Sequence, residues 1–313
     1  MKRALILAGG TTTAWHIAET IKRYYKDELY LVICDTNPEH LVHTSVLADK
    51  FIQVPPIKTP NYYEKMLDIF CSEGIDLVIP LIDNDIMLFT SDNTDLRQMG
   101  LTSSAPDKET VLSLSNKRNM EKTLRSIGIR TPRIISDLSE IAPEVEYYIK
   151  NMVGFGSRDV HKVKGKDIIG LSDQQFVQEM CNNPEITVDV VNDSKRIYTI
   201  CRERVETKLG VSTKCKVFYS DEIQEIIEKV SNYIALPAIC CVQFMADSRG
   251  HWSLIDFNLR SGGGTAISAA VGFEAVRAAI AIWIGKNINC PDYLKKVDNA
   301  RYVVRTYSEI VTK

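Results

Sequence analysis

Over the first hundred residues, short apolar runs alternate with longer stretches whose apolar positions recur every three or four residues. The runs at 4–8, 30–34, 50–54 and 77–80 have strand length, and the stretches 15–24 and 62–73 carry the helical period. Gly74 then stands where a helix commonly ends. Strands alternating with amphipathic helices predict a parallel sheet with crossover connections, a Rossmann-like unit. A polar loop around 102–108 leads into a helix from Val111 and a second helix over 117–127, closed by Gly128 and Pro132. Beyond it the texture changes to short strands at 147–150, 161–163, 187–191 and 197–201, with helices expected over 172–180 and 221–235. The middle and end therefore read as an α+β unit.

The densest pattern lies late. Residues 242–245 and 252–260 are apolar strands around the turn Asp247-Ser248-Arg249-Gly250, which predicts a hairpin. A period of two puts Asp256, Asn258 and Arg260 on one face, opposite Ile255, Phe257 and Leu259. A carboxylate and an amide oxygen side by side suit magnesium, which takes few protein ligands and completes its octahedron with phosphates and water. An adjacent arginine binds phosphate oxygens bidentately. The competing reading is a solvated strand face. Ser261-Gly262-Gly263-Gly264-Thr265 then opens a helix over 266–270, so backbone donors and a helix N-terminus follow the strand directly.

Composition narrows the classes. At 313 residues, 45% hydrophobic and 25% charged, the chain is long enough for more than one folded domain. A net charge of -2 gives no basic field for nucleic acid and no polybasic block for a membrane. Eight cysteines are scattered without a C-x-x-C pair, as expected of reduced thiols in the cytoplasm. Met1-Lys2-Arg3 before Ala4-Leu5-Ile6-Leu7-Ala8 looks like the start of a signal peptide, but the apolar run is too short, and a first buried strand is expected. No stretch has the length of a membrane span. None of the five histidines is paired with a nucleophile. The turn Gly9-Gly10-Thr11-Thr12-Thr13 can receive an anion on its backbone N–H groups, yet it lacks the G-x-G-x-x-G spacing. Asp35 is placed as a ribose-binding acid would be; a substrate site and a plain structural turn both stay open.

The run Asp256 to Thr265 resembles the E-I/V-N-P-R-x-G-G-G segment of ATP-grasp enzymes, in particular the branch similar to the carbamoyl-phosphate synthase large subunit. Asn116-Lys117 with Leu124, Gly128, Ile129, Thr131 and Pro132 is similar to that family's D-K…L…G-I/V-P helix. Tyr148-Ile149-Lys150 before Gly154-Phe155-Gly156-Ser157 resembles its lysine strand and glycine-rich lid, and Gln178-Glu179-Met180-Cys181…Glu185 to Asp189 its Q-E hinge. The resemblance covers essentially the whole chain. It implies a Rossmann-like pre-ATP-grasp domain over 1–105 and an ATP-grasp domain over 106–313, with a lid subdomain at about 130–182 and a metal and phosphate subdomain at about 183–313.

Carried over where the motifs match, the resemblance implies ATP binding by Lys117, Lys150, the lid residues Gly154, Gly156 and Ser157, the hinge Glu179, Met180 and Cys181, and Glu185 at the ribose. Asp256, Asn258 and Gln243 would hold Mg2+, for which Mn2+ can substitute, and Arg260 and Arg204 would act on the transferring phosphoryl group. Asp83, Asp85, Gly263, Gly264 and Thr265 are the substrate-binding candidates. Aspartate stands at 256 where the family carries glutamate, Gln243 where many members have a carboxylate, and Leu259 in place of proline, so the second metal is the weaker expectation. The implied activity is carboxylate–amine ligation through an acyl phosphate, with ADP and phosphate as products. The alternatives are phosphorylation of a small acid or carbamate, and an inactive nucleotide-binding regulator. Small-molecule acid and amine partners, neither nucleic acid nor membrane, and compatibility with a homodimer complete the expectations.

Overall fold

The computed structural model describes residues 1–135, 137–151, 160–208, 210–247 and 249–312. Strands β1 (Lys2–Ile6), β2 (Leu29–Asp35), β3 (Lys50–Gln53), β4 (Leu77–Ile79) and β5 (Thr102–Ser103) form a parallel sheet in the order β3-β2-β1-β4-β5. Helices α1 (Thr12–Tyr24), α2 (Tyr62–Ser72), α3 (Asp83–Leu88) and α4 (Thr94–Gln98) join these strands. The Thr11 hydroxyl caps α1 by accepting from the Ala14 N–H at 3.1 Å, and Gly74, at φ +58°, follows α2 in the left-handed backbone the sequence predicts. Strand order reverses between β1 and β4. The loops leaving these two strands, Gly9 to Thr11 and Pro80 to Ile82, therefore flank the switch-point crevice where open α/β sheets take ligands.

Helices α5 (Lys108–Leu114) and α6 (Lys117–Ser126) lead into an antiparallel sheet of β6 (Ile134–Ile135), β7 (Glu146–Asn151), β8 (His161–Lys164) and β9 (Gln175–Glu179), in the order β6-β9-β7-β8. Strand β9 corrects the helix expected over 172–180. Phe176, Val177 and Gln178 are buried in succession because β9 pairs on both edges and is covered on both faces, which removes the alternation that would have marked a strand.

A second antiparallel sheet follows, built from β10 (Asn182–Asn192), β11 (Ile197–Lys208), β12 (Val211–Phe218), then, after helix α7 (Asp221–Ser231), β13 (Ile239–Ala246) and β14 (Trp252–Asn258). Helices α8 (Thr265–Ala269), α9 (Ala275–Trp283) and α10 (Cys290–Tyr293) precede the last strand, β15 (Arg301–Val304). The six strands run β14-β13-β10-β11-β12-β15. One face packs Ile186, Val188, Val190 and Val242 against α5, α6 and α7. The opposite face shares a core with the parallel sheet through α1 and α9, where Ile17 and Ile21 meet Ala278 and Ile280. The other side of the parallel sheet closes over Met66, Phe70 and Phe89. Among the described residues the four-stranded sheet has a small cluster of its own, Ile135, Tyr147 and Val177, with Ile134 and Phe176 also buried. The fold is mixed α/β and α+β, as the sequence predicts, and no helix among the described residues is long and apolar enough to cross a membrane.

The β13–β14 hairpin carries a further correction. Gln243 pairs with Asp256 but Phe244 with Leu254, so Ile255 is an extra residue in a bulge. The core face therefore passes from Leu254 to Phe257 and Leu259, and Ile255, expected among them, is half-buried outside that core. Asp256 and Asn258 keep the shared polar face.

Candidate functional site

Three segments bring cations and a carboxylate together beside the switch point. Asn116 caps α6 through its Oδ1, which fixes Lys117 at the first helical position. Lys117 Nζ lies 3.0 Å from Asp256 Oδ1 on β14. Lys150 on β7 donates to Gln178 Oε1 at 2.8 Å, and burial, reinforced by the nearby Lys117 charge, lowers its pKa to about 8. Asp256, Cys181 and Glu185 act on Lys150 in the opposite direction, so β14 and the start of β10 face the same lysine.

Gln243 stands directly across from Asp256, and Cys241 across from Asn258, so these four side chains share one sheet face. One carboxylate with two amide oxygens suits magnesium, which retains water and phosphate ligands; a dedicated cage needs more. Among the described residues no group of three or more His, Cys, Asp or Glu side chains forms such a cage. Asp83, the first residue of α3, lies 3.8 Å from Arg260 Nε. Its pKa is raised by burial, against the lowering effect of Arg260, and Asp256 raises it further. Asp83 thus joins the cluster from the crevice side. Asp85 does not: it is buried, accepts from Tyr62 Oη at 2.9 Å, and desolvation pushes its pKa up to about 6.

The remaining expected residues are placed as follows. Glu185 pairs with Arg204, whose other donors reach Ser212 Oγ at 3.2 Å and the Gly210 carbonyl at 2.9 Å. Glu179 is exposed and pairs with Arg133 at 3.0 Å, Met180 is half-buried, and burial pushes the Cys181 thiol up to about 11. Gly263 offers its carbonyl to Arg305, while a Cβ on Gly264 would collide with the Arg202 guanidinium. Thr265 is buried and turns its hydroxyl back to the Gly262 carbonyl at 2.8 Å, so it holds its own loop. Asp35 is likewise used internally, accepting from the Gly10 N–H at 2.7 Å and from Asn37. Gly154, Gly156 and Ser157 lie outside the described residues.

Sequence reasoning missed a buried network behind this surface. Asp189, fully buried on β10, receives Arg202 Nε at 3.0 Å and Nη2 at 2.6 Å, Ser268 Oγ at 2.5 Å and the Cys241 thiol at 3.1 Å. Burial alone would lower the Arg202 pKa, but the carboxylate more than offsets it and holds the guanidinium charged. Its alternation with Thr187 marks Asp189 as sharing the site face, a signal the sequence did contain. Arg305, just past β15, was not legible at all. His16 on α1, held neutral with a pKa of about 4 by burial, completes this region.

Comparison with known proteins agrees with this fold. Residues 172–306 match the family model described as ATP-grasp in the biosynthetic pathway with Ter operon, and residues 4–103 match the PylC-like N-terminal domain. Residues 172–306 thus resemble an ATP-grasp family, and the chain as a whole shares its fold with the solved structures below. A similar fold is found in the 2-oxoglutarate carboxylase biotin carboxylase domain dimer of Hydrogenobacter thermophilus, solved with MgADP, ADP and bicarbonate (TM-score 0.73, 15% identity, 91% of this chain and 70% of that one). N5-Carboxyaminoimidazole synthetase of Staphylococcus aureus with ADP gives a TM-score of 0.70 at 16% identity, over 94% of this chain and 80% of that one. Biotin carboxylase of Campylobacter jejuni in a β-γ-ATP complex gives 0.72 at 14% identity, over 94% and 73%. No curated protein sequence matches the chain.

Proposed function

We propose that this chain is an ATP- and magnesium-dependent, ADP-forming ligase of the ATP-grasp type that joins a small-molecule carboxylate to an amine through an acyl phosphate. The observation that carries this reading is the convergence of Lys117, Lys150 and Asp256, from three separate segments, around one point beside the crevice. Two lysines at that point cancel the phosphate charge that otherwise repels an incoming carboxylate. Because Lys117 and Asp256 are only partly buried, they can exchange for the alternative pairs, lysine with phosphate and aspartate with metal. Asp256, Asn258 and Gln243 would hold the magnesium, which when bound supplies further charge neutralisation at the phosphates. Arg260, oriented by Asp83, would steady the transferring group, and Arg204 with Glu185 would bound the nucleotide side. Cys181 and Met180 would line the base, with Glu179 at their edge. The proposal keeps the division at about residue 105 and extends to a homodimer, as in the Hydrogenobacter neighbour; light scattering in solution tests the latter.

The test is ADP release from ATP and magnesium with pools of carboxylic and amino acids, followed by mass spectrometry of the product. Acid-dependent ADP release that Asp256→Ala abolishes supports the reading. No release with any pool, together with unchanged nucleotide affinity in Asp256→Ala, overturns it. The bicarbonate held by the Hydrogenobacter structure favours one second reading, phosphorylation of bicarbonate, which ADP release with bicarbonate as the only acid would reveal.

A further inference from the structure

A pocket of about 200 Å³ lies between the metal strand and the N-terminal turn. Its size is below the roughly 300–1,000 Å³ of drug-sized ligand sites, so it suits a small metabolite. Among the described residues its wall holds four arginines, Arg202, Arg204, Arg260 and Arg305, and no carboxylate. Three of the arginines are engaged with acids behind the wall: Arg202 with Asp189, Arg204 with Glu185, and Arg260 with Asp83. Arg305 differs. Among the described residues no carboxylate pairs with it, and its Nη2 donates to the Gly263 carbonyl.

Burial and the neighbouring Arg202 charge both lower the Arg305 pKa, so the guanidinium is held where its charge is unfavourable without an anion. Its position is fixed from several sides. Strand β15 pairs with β12, and the Arg305 N–H donates to the Thr213 carbonyl at 2.8 Å, which seats the side chain over the glycine loop. Gly263 leaves room there. A Cβ on it would stand 3.3 Å from Thr12 Oγ1, so the loop, the first turn of α1 and Arg305 meet at one end of the pocket. Asn258 and Gln243 line the same pocket from the metal side.

We propose that this pocket binds a second anionic group, carboxylate or phosphate, of the small-molecule substrate, and that Arg305 with Thr12 selects it. The inference rests on the ligase reading, which places the reacting carboxylate beside Asn258 and Arg260. The substrate class is then a dianionic small acid, with one anion activated at the metal strand and the other anchored by Arg305.

Calorimetry with Mg2+ and ADP present tests this on matched probes: glutarate against butyrate, aspartate against alanine, and O-phosphoserine against serine. At least one dianion should bind tenfold or more tightly than its partner, and Arg305→Gln should bring that ratio within twofold. Preference confined to O-phosphoserine identifies the second anion as phosphate, and preference for the dicarboxylates identifies it as carboxylate. No preference in the unmodified protein, or one that survives in Arg305→Gln, overturns the proposal. The first of these needs no variant and holds even if Arg305→Gln fails to fold. ADP release reports separately on the ligase reading, so failure of ligation with dianion preference intact would sink only the former.

Discussion

Lys150 shows at the scale of one residue what the site costs the fold. Burial holds its pKa near 8, against 10.5 for a free lysine, so at neutral pH the folded chain carries a partly desolvated charge. The folded state releases this proton more readily than the unfolded state, so between about pH 8 and 10.5 the unfolded chain binds more protons and stability rises with pH. Lys150→Met should remove that dependence and raise the thermal midpoint by roughly 2 °C or more, the response to about 1 kcal/mol in a protein of this size. The same variant should weaken nucleotide binding at least about tenfold, a loss of roughly 1.4 kcal/mol, measured by calorimetry at pH 7.5. A lower midpoint with intact affinity would show a structural lysine instead. Asp189 is the converse case, a buried acid that stabilises. Asp189→Asn leaves Arg202 charged without its partner and should cost about 3–5 kcal/mol in urea unfolding; a cost under about 1 kcal/mol would mean that water reaches the pair. Residues of this kind differ in legibility. Lys117, Asp256 and Asn258 stand out in the sequence through type and spacing, whereas the role proposed for Arg305 depends on a loop that packs against it from 42 positions away in the chain.

At the scale of elements, most strands and helices follow from local pattern, and the two misreadings have a common cause. In β9 and in β14 the alternation of apolar and polar positions is broken by tertiary pairing: the first strand is covered on both faces, and the second carries an extra residue. The bulge at Ile255 allows Leu254 and Phe257, three positions apart, to share one core while Asp256 faces Gln243. Deleting Ile255 would restore a regular strand with Leu254 and Phe257 still inward, so the fold should survive with a midpoint within a few degrees. The local bend that aims Asp256 at Lys117 would be lost. Magnesium-dependent nucleotide affinity should therefore fall at least about tenfold, roughly 1.4 kcal/mol, while circular dichroism stays unchanged. Unfolding of the deletion variant would show instead that the bulge serves packing.

At the scale of the molecule, the unequal cores set which parts can respond to ligand. The parallel sheet and the six-stranded sheet share one apolar core through α1 and α9, which ties the two together. Among the described residues the four-stranded sheet rests on a small cluster of Ile135, Tyr147 and Val177, with Ile134 and Phe176 also buried, yet it carries Lys150 and leads to Cys181. On the proposed reading, a nucleotide between Lys150 and Asp256 would bridge the weakly held sheet to the strongly held one. Binding to the folded state alone stabilises by about 2.7 kcal/mol at a hundredfold excess over Kd. That gain should fall mainly on the element with the smallest stability of its own, because the cooperative units of a fold open independently. Amide hydrogen exchange with and without ATP and magnesium checks this. Strands β7 and β9 should gain protection of about tenfold or more, whereas β1 and β10, already locked in the shared core, should change little. Equal protection across all sheets would show that the chain opens only as a whole, and the four-stranded sheet would then have no independent opening for a nucleotide to restrain.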